Sequence, residues 1–331
     1  MTRPFTYALL LFAFALITPA QAQRGRPPAG ERHVRKVFER TPPPVSTEAR
    51  RDMEEKLQEA RDAHRRSPRD ADRIIWLGRR TAYLGRFREA IGIYTEGLRL
   101  HPRDARLLRH RGHRYITIRE FRLAERDLAR AARLVSGRAD EVEPDGLPNA
   151  RNQPTSTLQS NIWYHLGLAR YLQGDFRGAL DAYRECMKVS KNPDMLVATS
   201  HWLYMTLRRL NREREAAGVL SPITSEMDII ENRDYHRLLL MYKGELTPGA
   251  VLAEAARGET SALSNGTVGY GVGNWHLYNG RREEATEVFR RVVAGPQWTG
   301  FGYIAAEVEL KRLPGGAGAA HRERALRRAA T

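Results

Sequence analysis

Residues 71–104 read ADRIIWLGRRTAYLGRFREAIGIYTEGLRLHPRD, and residues 105–138 repeat their landmarks at a shift of 34. Gly78 matches Gly112, Phe87 matches Phe121, Ala90 matches Ala124 and Gly97 matches Ala131. A third set, Gly167, Phe176, Ala179 and Cys186, stands 55 residues beyond the second. Since 55 is 34 plus 21, one insertion of 21 residues separates otherwise regular units. Four landmarks kept in step across such a jump are the mark of an internal repeat.

Each landmark has a packing task. Ile74, Leu77 and Gly78 fall on one face of a first helix at helical spacing. Gly85 stands at a turn, and Phe87, Ala90, Tyr94 and Leu98 line one face of a second helix. The small residues Gly78 and Ala90, with Gly112, Ala124, Gly167 and Ala179 in the later units, let paired helices approach closely. Pro102 ends the second helix, because it cannot continue the hydrogen-bond ladder. One hairpin cannot bury its own apolar face, so the hairpins must stack into an all-α solenoid.

Trp76-Leu77-Gly78, Tyr83-Leu84-Gly85, Phe87, Ala90, Tyr94 and Pro102 resemble the tetratricopeptide repeat signature, with the tryptophan and tyrosine displaced. Trp163, Leu166-Gly167, Gly174-Asp175-Phe176, Ala179 and Tyr183 match it more closely. The resemblance covers residues 50–310 and is strong in three units. It implies a right-handed superhelix of antiparallel helical hairpins, with a concave groove that binds a protein or peptide. In that family the first helix of each hairpin lines the groove. The matching positions are Ile75, Arg79 and Ala82, then Arg109, His113 and Ile116, then Tyr164, Leu168 and Tyr171. The resemblance therefore points to Arg79, Arg109, His113, Tyr164 and Tyr171 as ligand-binding residues: arginines for carboxylates, tyrosines for an apolar part. Relatives that clamp a chain-terminal carboxylate add asparagines, which these positions lack.

The flanks are degenerate. Met53, Leu57, Ala60 and Ala63 suit a capping helix before Ala71, and Met195 to Leu220 reads as a hairpin without a turn glycine. Ile230 to Arg257 is helical, Gly273 to Val293 returns to the pattern with Gly280 at the turn, and Phe301 to Leu310 makes a last helix. The repeat domain is thus expected over 50–312, with an inserted loop at 137–158. A Pro/Arg-rich linker over 23–49 precedes it, and a basic tail without stable structure over 313–331 follows it.

At the start of the chain, Arg3 precedes an apolar run from Phe5 to Ile17, then Pro19 and Ala20-Gln21-Ala22. That run falls short of the roughly 20 residues a membrane-spanning helix needs. Residues 1–22 therefore read as a secretory signal peptide, and the mature chain is expected to begin near Gln23, periplasmic or secreted, with no transmembrane segment. The lone Cys186 forbids an intrachain disulfide, so the core alone must hold the fold.

The net charge is +16, and only Lys36, Lys56, Lys188, Lys191, Lys243 and Lys311 among the 55 basic residues are lysine. Arginine forks pair carboxylates and phosphates in a bidentate way. Solvated helix faces explain such a composition, and so does an acidic partner such as an anionic envelope surface. Nucleic acid, ordinarily the first thought at this charge, conflicts with the export signal.

No catalytic signature is present: no His-Glu-x-x-His, no Gly-x-Ser-x-Gly, no phosphate loop. Gly269, Gly271 and Gly273 have the wrong spacing for a nucleotide and are expected to open the helix carrying Trp275. His110 and His113 stand three apart without a further ligand pair, so no metal is expected. Glu141-Val-Glu143-Pro-Asp145-Gly146 begins like a calcium loop, but Asn152 stands where a bidentate glutamate is required. Cys186 occupies a small-residue packing slot. The insertion is expected to carry function or shape the groove, or else to be a local excursion or an acid-base clasp to neighbouring arginines. These features point to an exported scaffold for a protein or peptide, with no catalytic residues and no cofactor. A charge-driven adaptor for anionic surfaces is the alternative, and an unrecognised enzyme using the insertion and Trp298 a minor one.

Overall fold

A computed structural model of the chain describes residues 40–257 and 261–313. The stretch read as a signal peptide, most of the one read as a linker and the expected tail beyond Leu313 lie outside the described residues. Those described form fourteen α-helices, and their only extended pairing is one bridge between Val142 and Thr157.

α1 (Thr47–Arg66) packs on α2 (Ala71–Tyr83), and six helical pairs follow. α2 pairs with α3 (Phe87–Leu100), α4 (Ala105–Thr117) with α5 (Phe121–Val135), and α6 (Leu158–Gln173) with α7 (Phe176–Val189). α8 (Pro193–Arg209) pairs with α9 (Glu213–Leu220), α10 (Arg233–Lys243) with α11 (Pro248–Ala255), and α12 (Ser261–Tyr278) with α13 (Arg282–Ala294). α14 (Phe301–Arg312) packs on both members of the last pair. The first helices α2, α4, α6 and α8 lie side by side in one row, as stacking of hairpins requires.

Local sequence sets the boundaries. α1 starts at Thr47, three residues earlier than expected, because the Ser46 hydroxyl accepts from the amide of Ala49. Asp70 and Asp104 cap α2 and α4 in the same way, and Thr157 with Ser160 forms a capping box on α6. Each of the six pairs turns through one residue in the left-handed region: Gly85, Arg119, Gly174, Asn211, Gly244 and Gly280. Asn211 thus fills the turn that has no glycine; asparagine tolerates this conformation. Arg119, at φ 67°, is the exception, in a slot that costs a long side chain about 1–2 kcal/mol.

Close approach at the eighth position of each unit organises the core. A Cβ on Gly78 would stand 2.3 Å from Tyr94 Cε1, and one on Gly167 2.7 Å from Tyr183 Cε1. Gly112 meets Leu128 in the same fashion. The partner is sixteen residues downstream each time, and the same spacing joins Gly273 to Phe289. Ala285 is then fully buried, where Ala90, Ala124 and Ala179 stand in the earlier units. Gly269, Gly271 and Gly273 therefore run through the middle of α12 rather than opening it, and they admit Val292, Leu238 and Phe289 to close range.

Candidate ligand-binding site

The residues taken from the repeat positions lie on the row of first helices, and three parts of the chain cover them. The insertion covers the first end. Arg79 donates to the carbonyl of Pro144 at 2.8 Å, and Arg109 pairs with Glu143 at 3.0 Å. Arg80 donates to the carbonyl of Gly146 at 2.8 Å. Only the Arg109–Glu143 contact is a clasp of acid on arginine; the other two are to backbone carbonyls, and together they leave Arg79 and Arg109 buried. Glu143 faces arginine rather than a cation site, and no group of acids, histidines and cysteine that could hold a metal ion occurs among the described residues. His110 stacks on Tyr94 and faces Glu143 at 3.6 Å, whereas His113 packs on His165 with ring centroids 4.4 Å apart.

The C-terminal unit α12–α14 covers the middle. The Phe301 ring lies 5.4 Å from His113, 6.3 Å from Tyr164 and 5.5 Å from His165. Burial, reinforced by Arg114, pushes the His113 imidazole well below its ordinary pKa, and burial carries His165 down to about 3. Tyr171, fully buried, accepts from the Tyr270 hydroxyl at 2.9 Å. Three arginine contacts dock the unit. Arg119 binds Glu307 at 2.8 Å and the carbonyl of Trp298 at 2.8 Å. Arg209 binds Glu309 at 2.8 Å, and Arg312 donates to the carbonyl of Leu172 at 2.6 Å. Burial alone would push the Glu307 carboxyl up; Arg119, with Lys311 and Arg40, outweighs it and holds the carboxyl below its usual range.

The third cover is the segment Arg40–Val45. Trp298 donates its indole N–H to the carbonyl of Thr41 at 2.7 Å, and Pro42 packs against Gly85. Trp298 also meets Phe87 edge-on at 5.7 Å, so it belongs to the docking of the C-terminal unit on the first hairpin.

Between the segment Arg40–Val45, the C-terminal unit and the first helices lies an open cavity of about 620 Å³. Its walls come from α2 and α4 (Tyr83, His113, Arg114, Thr117), from Asp234 and Tyr235 of α10, and from Phe301 of α14. Its mouth carries Val45, Leu147 and Leu263, which are 41%, 53% and 49% exposed. Only Leu100 and Val142 are comparably exposed large apolar residues among the described residues, so three of five gather at this opening. Arg114 was not among the positions taken from the repeat. It lies over the Phe87 ring at 5.7 Å, and burial pulls its pKa down to about 10. Cys186 takes no part: it is buried beside Thr199, and burial pushes its thiol up to about 11, the state of an inert packing residue.

No helix of the described residues is long and apolar enough to cross a membrane. No family profile matches the chain, and no curated protein matches it. Solved structures align along most of it, two of them tetratricopeptide repeat proteins. YrrB, described as a tetratricopeptide repeat protein with an unusual peptide-binding site, is 15% identical, with 77% of this chain and 98% of that one covered and a TM-score of 0.41. A tetratricopeptide repeat protein from Parabacteroides merdae is 14% identical, with 83% and 98% covered and a TM-score of 0.45. On its own repeat landmarks, its Gly-to-ring packing and the stacking of its first helices, the protein is an all-α solenoid of tetratricopeptide-type helical hairpins.

Proposed function

We propose that the protein is an exported, non-catalytic scaffold that holds a protein or peptide segment at the cavity left open on its row of first helices. The observation that supports this is the gathering of Val45, Leu147 and Leu263 around that opening. Exposed apolar side chains scattered singly need no explanation, but a cluster rimming a cavity is the pattern of a binding site. The covered positions Arg79, Arg109, Tyr164 and Tyr171 then act as support, fixing the insertion and the C-terminal unit that form the cavity walls.

The test is affinity capture from native envelope extract at low and moderate salt, with the purified chain and a Leu147→Glu/Leu263→Glu variant. Discrete proteins retained at moderate salt by the natural chain and lost by the variant support the proposal. The same proteins retained by both would place binding elsewhere. Broad anionic material that washes off with salt would favour the charge-driven adaptor instead, since exposed charge attraction is screened.

A further inference from the structure

Of the partly or fully buried arginines on α2 to α9, Arg114 alone has no oxygen partner among the described residues. Arg109 has Glu143 at 3.0 Å, Arg111 has Asp127 at 2.6 Å, and Arg209 has Glu309 at 2.8 Å. Arg119, in the turn after α4, has Glu307, and even Arg79 is held by a carbonyl and the Tyr83 hydroxyl. Arg114 has the face of Phe87 and the cavity. A guanidinium taken partly out of water needs a partner, and the strongest is a carboxylate in a bidentate pair.

The remaining lining is partly acidic: Glu231, which accepts from Asn149 and Thr155, and Asp234, 3.7 Å from Arg237, also reach the cavity. Phe87, Phe301 and Tyr235 offer aromatic surface beside Arg114, and Val45, Leu147 and Leu263 extend it to the mouth. The volume, about 620 Å³, suits a drug-sized molecule. We infer that the cavity binds a monocarboxylate with an apolar body, its carboxylate paired with Arg114 and its apolar part against Phe87, Phe301 and Tyr235. This rests on the scaffold reading above and narrows it. The same chemistry is carried by a free organic acid and by the C-terminal residue of an apolar peptide end.

The experiment is calorimetric titration of the purified full chain with two probe pairs. One pair is 3-phenylpropionate and its amide; the other is N-acetyl-phenylalanyl-leucine with a free or an amidated terminus. The natural chain is expected to prefer acid over amide by roughly 10- to 100-fold, the range of a charge-assisted pair. That preference should vanish in Arg114→Gln. Because Arg114→Gln removes a partly buried group, Leu263→Glu serves as a second variant: it sits at the exposed rim and should weaken both acids through like charge while sparing the amides. Tighter binding of phenylpropionate assigns the site to free acids, and tighter binding of the dipeptide assigns it to chain ends. Equal affinity for acid and amide, no binding of any probe, or a preference that survives Arg114→Gln overturns the assignment. Protein capture with no acid binding would leave the scaffold reading standing and remove this one; acid binding with no protein capture would do the reverse.

Discussion

Replacing Arg119 by glycine sets two structural effects against each other. The substitution relieves the left-handed backbone at φ 67°, a gain of about 1–2 kcal/mol. Against that, it removes the buried partner of Glu307 and the donor to the carbonyls of Thr117 and Trp298. The Arg119 side chain is 2% exposed and that of Glu307 10%, so solvent screens the pair little. Breaking such a pair from one side costs about 3–5 kcal/mol. Lys311 at 3.4 Å and Arg40 at 3.6 Å remain near Glu307 and soften the loss. The net cost is on the order of 1–4 kcal/mol, and it falls on the docking of the C-terminal unit rather than on the array.

Amide hydrogen exchange read segment by segment is the appropriate assay, because a stacked array opens locally. In Arg119→Gly the amides of α12–α14 should exchange faster, by roughly 5- to 1000-fold for that range of free energy, while α6 and α7 keep their protection. Unchanged protection in α12–α14 would show that Arg119 does not hold the unit. A uniform loss across α2 to α7 would show that the turn, not the contact, matters. Either result refutes the reasoning.

Other consequences are testable with less effort. Gly78→Ala drives a methyl to 2.3 Å from Tyr94 Cε1 and should cost about 1–3 kcal/mol in denaturant titration, whereas Gly92→Ala, with nothing within 4 Å, should be neutral or stabilising by up to about 1 kcal/mol. Stability should fall as pH drops below about 6.5. His165 and His201 have folded pKa values near 3, below their ordinary 6.5, so their contribution is present above 6.5 and is lost toward 3, at about 1.4 kcal/mol per pH unit per group. Glu307, also lowered, adds in the same direction below its ordinary 4.5; a melting temperature flat from pH 7 to 4.5 would contradict this. Glu143→Gln deprives Arg109 of its carboxylate and should loosen the insertion, seen as faster tryptic cleavage at the exposed Arg151.

The repeat was legible because its packing demands recur at fixed spacing. A glycine needs its ring or leucine sixteen residues on, and the small residue at Ala90, Ala124 and Ala179 follows from the same contact. Gly273 and Phe289 obey that spacing too, within the stretch from Gly273 to Val293 that reads as a return to the pattern. The clasp of the insertion was legible as acids lying close to an arginine-rich helix. The covering of the row by α12–α14 was not, since a period says which hairpins are neighbours and nothing of where a chain returns. Two residues carried a hint. Glu307 and Glu309 are the only charges between Phe301 and Leu310, and buried acids demand buried cations. Arg119 stands where Gly85, Gly174 and Gly280 turn the other hairpins. α8, buried on nearly all sides from Met195 to Leu207, likewise marks a helix enclosed by others rather than lining an open groove. Arg114 escaped notice because a missing partner shows only once the other partly or fully buried arginines of α2 to α9 have been paired.

Thiol labelling under native conditions tests the covering of the row of first helices most directly. Leu168→Cys sits at a fully buried repeat position, Leu263→Cys at the exposed rim, and the native buried Cys186 is the internal reference. The structure predicts rapid modification at Leu263→Cys and modification at Leu168→Cys as slow as at Cys186. Labelling of Leu168→Cys as fast as Leu263→Cys, in a chain that remains folded, would mean that the row of first helices is open rather than covered.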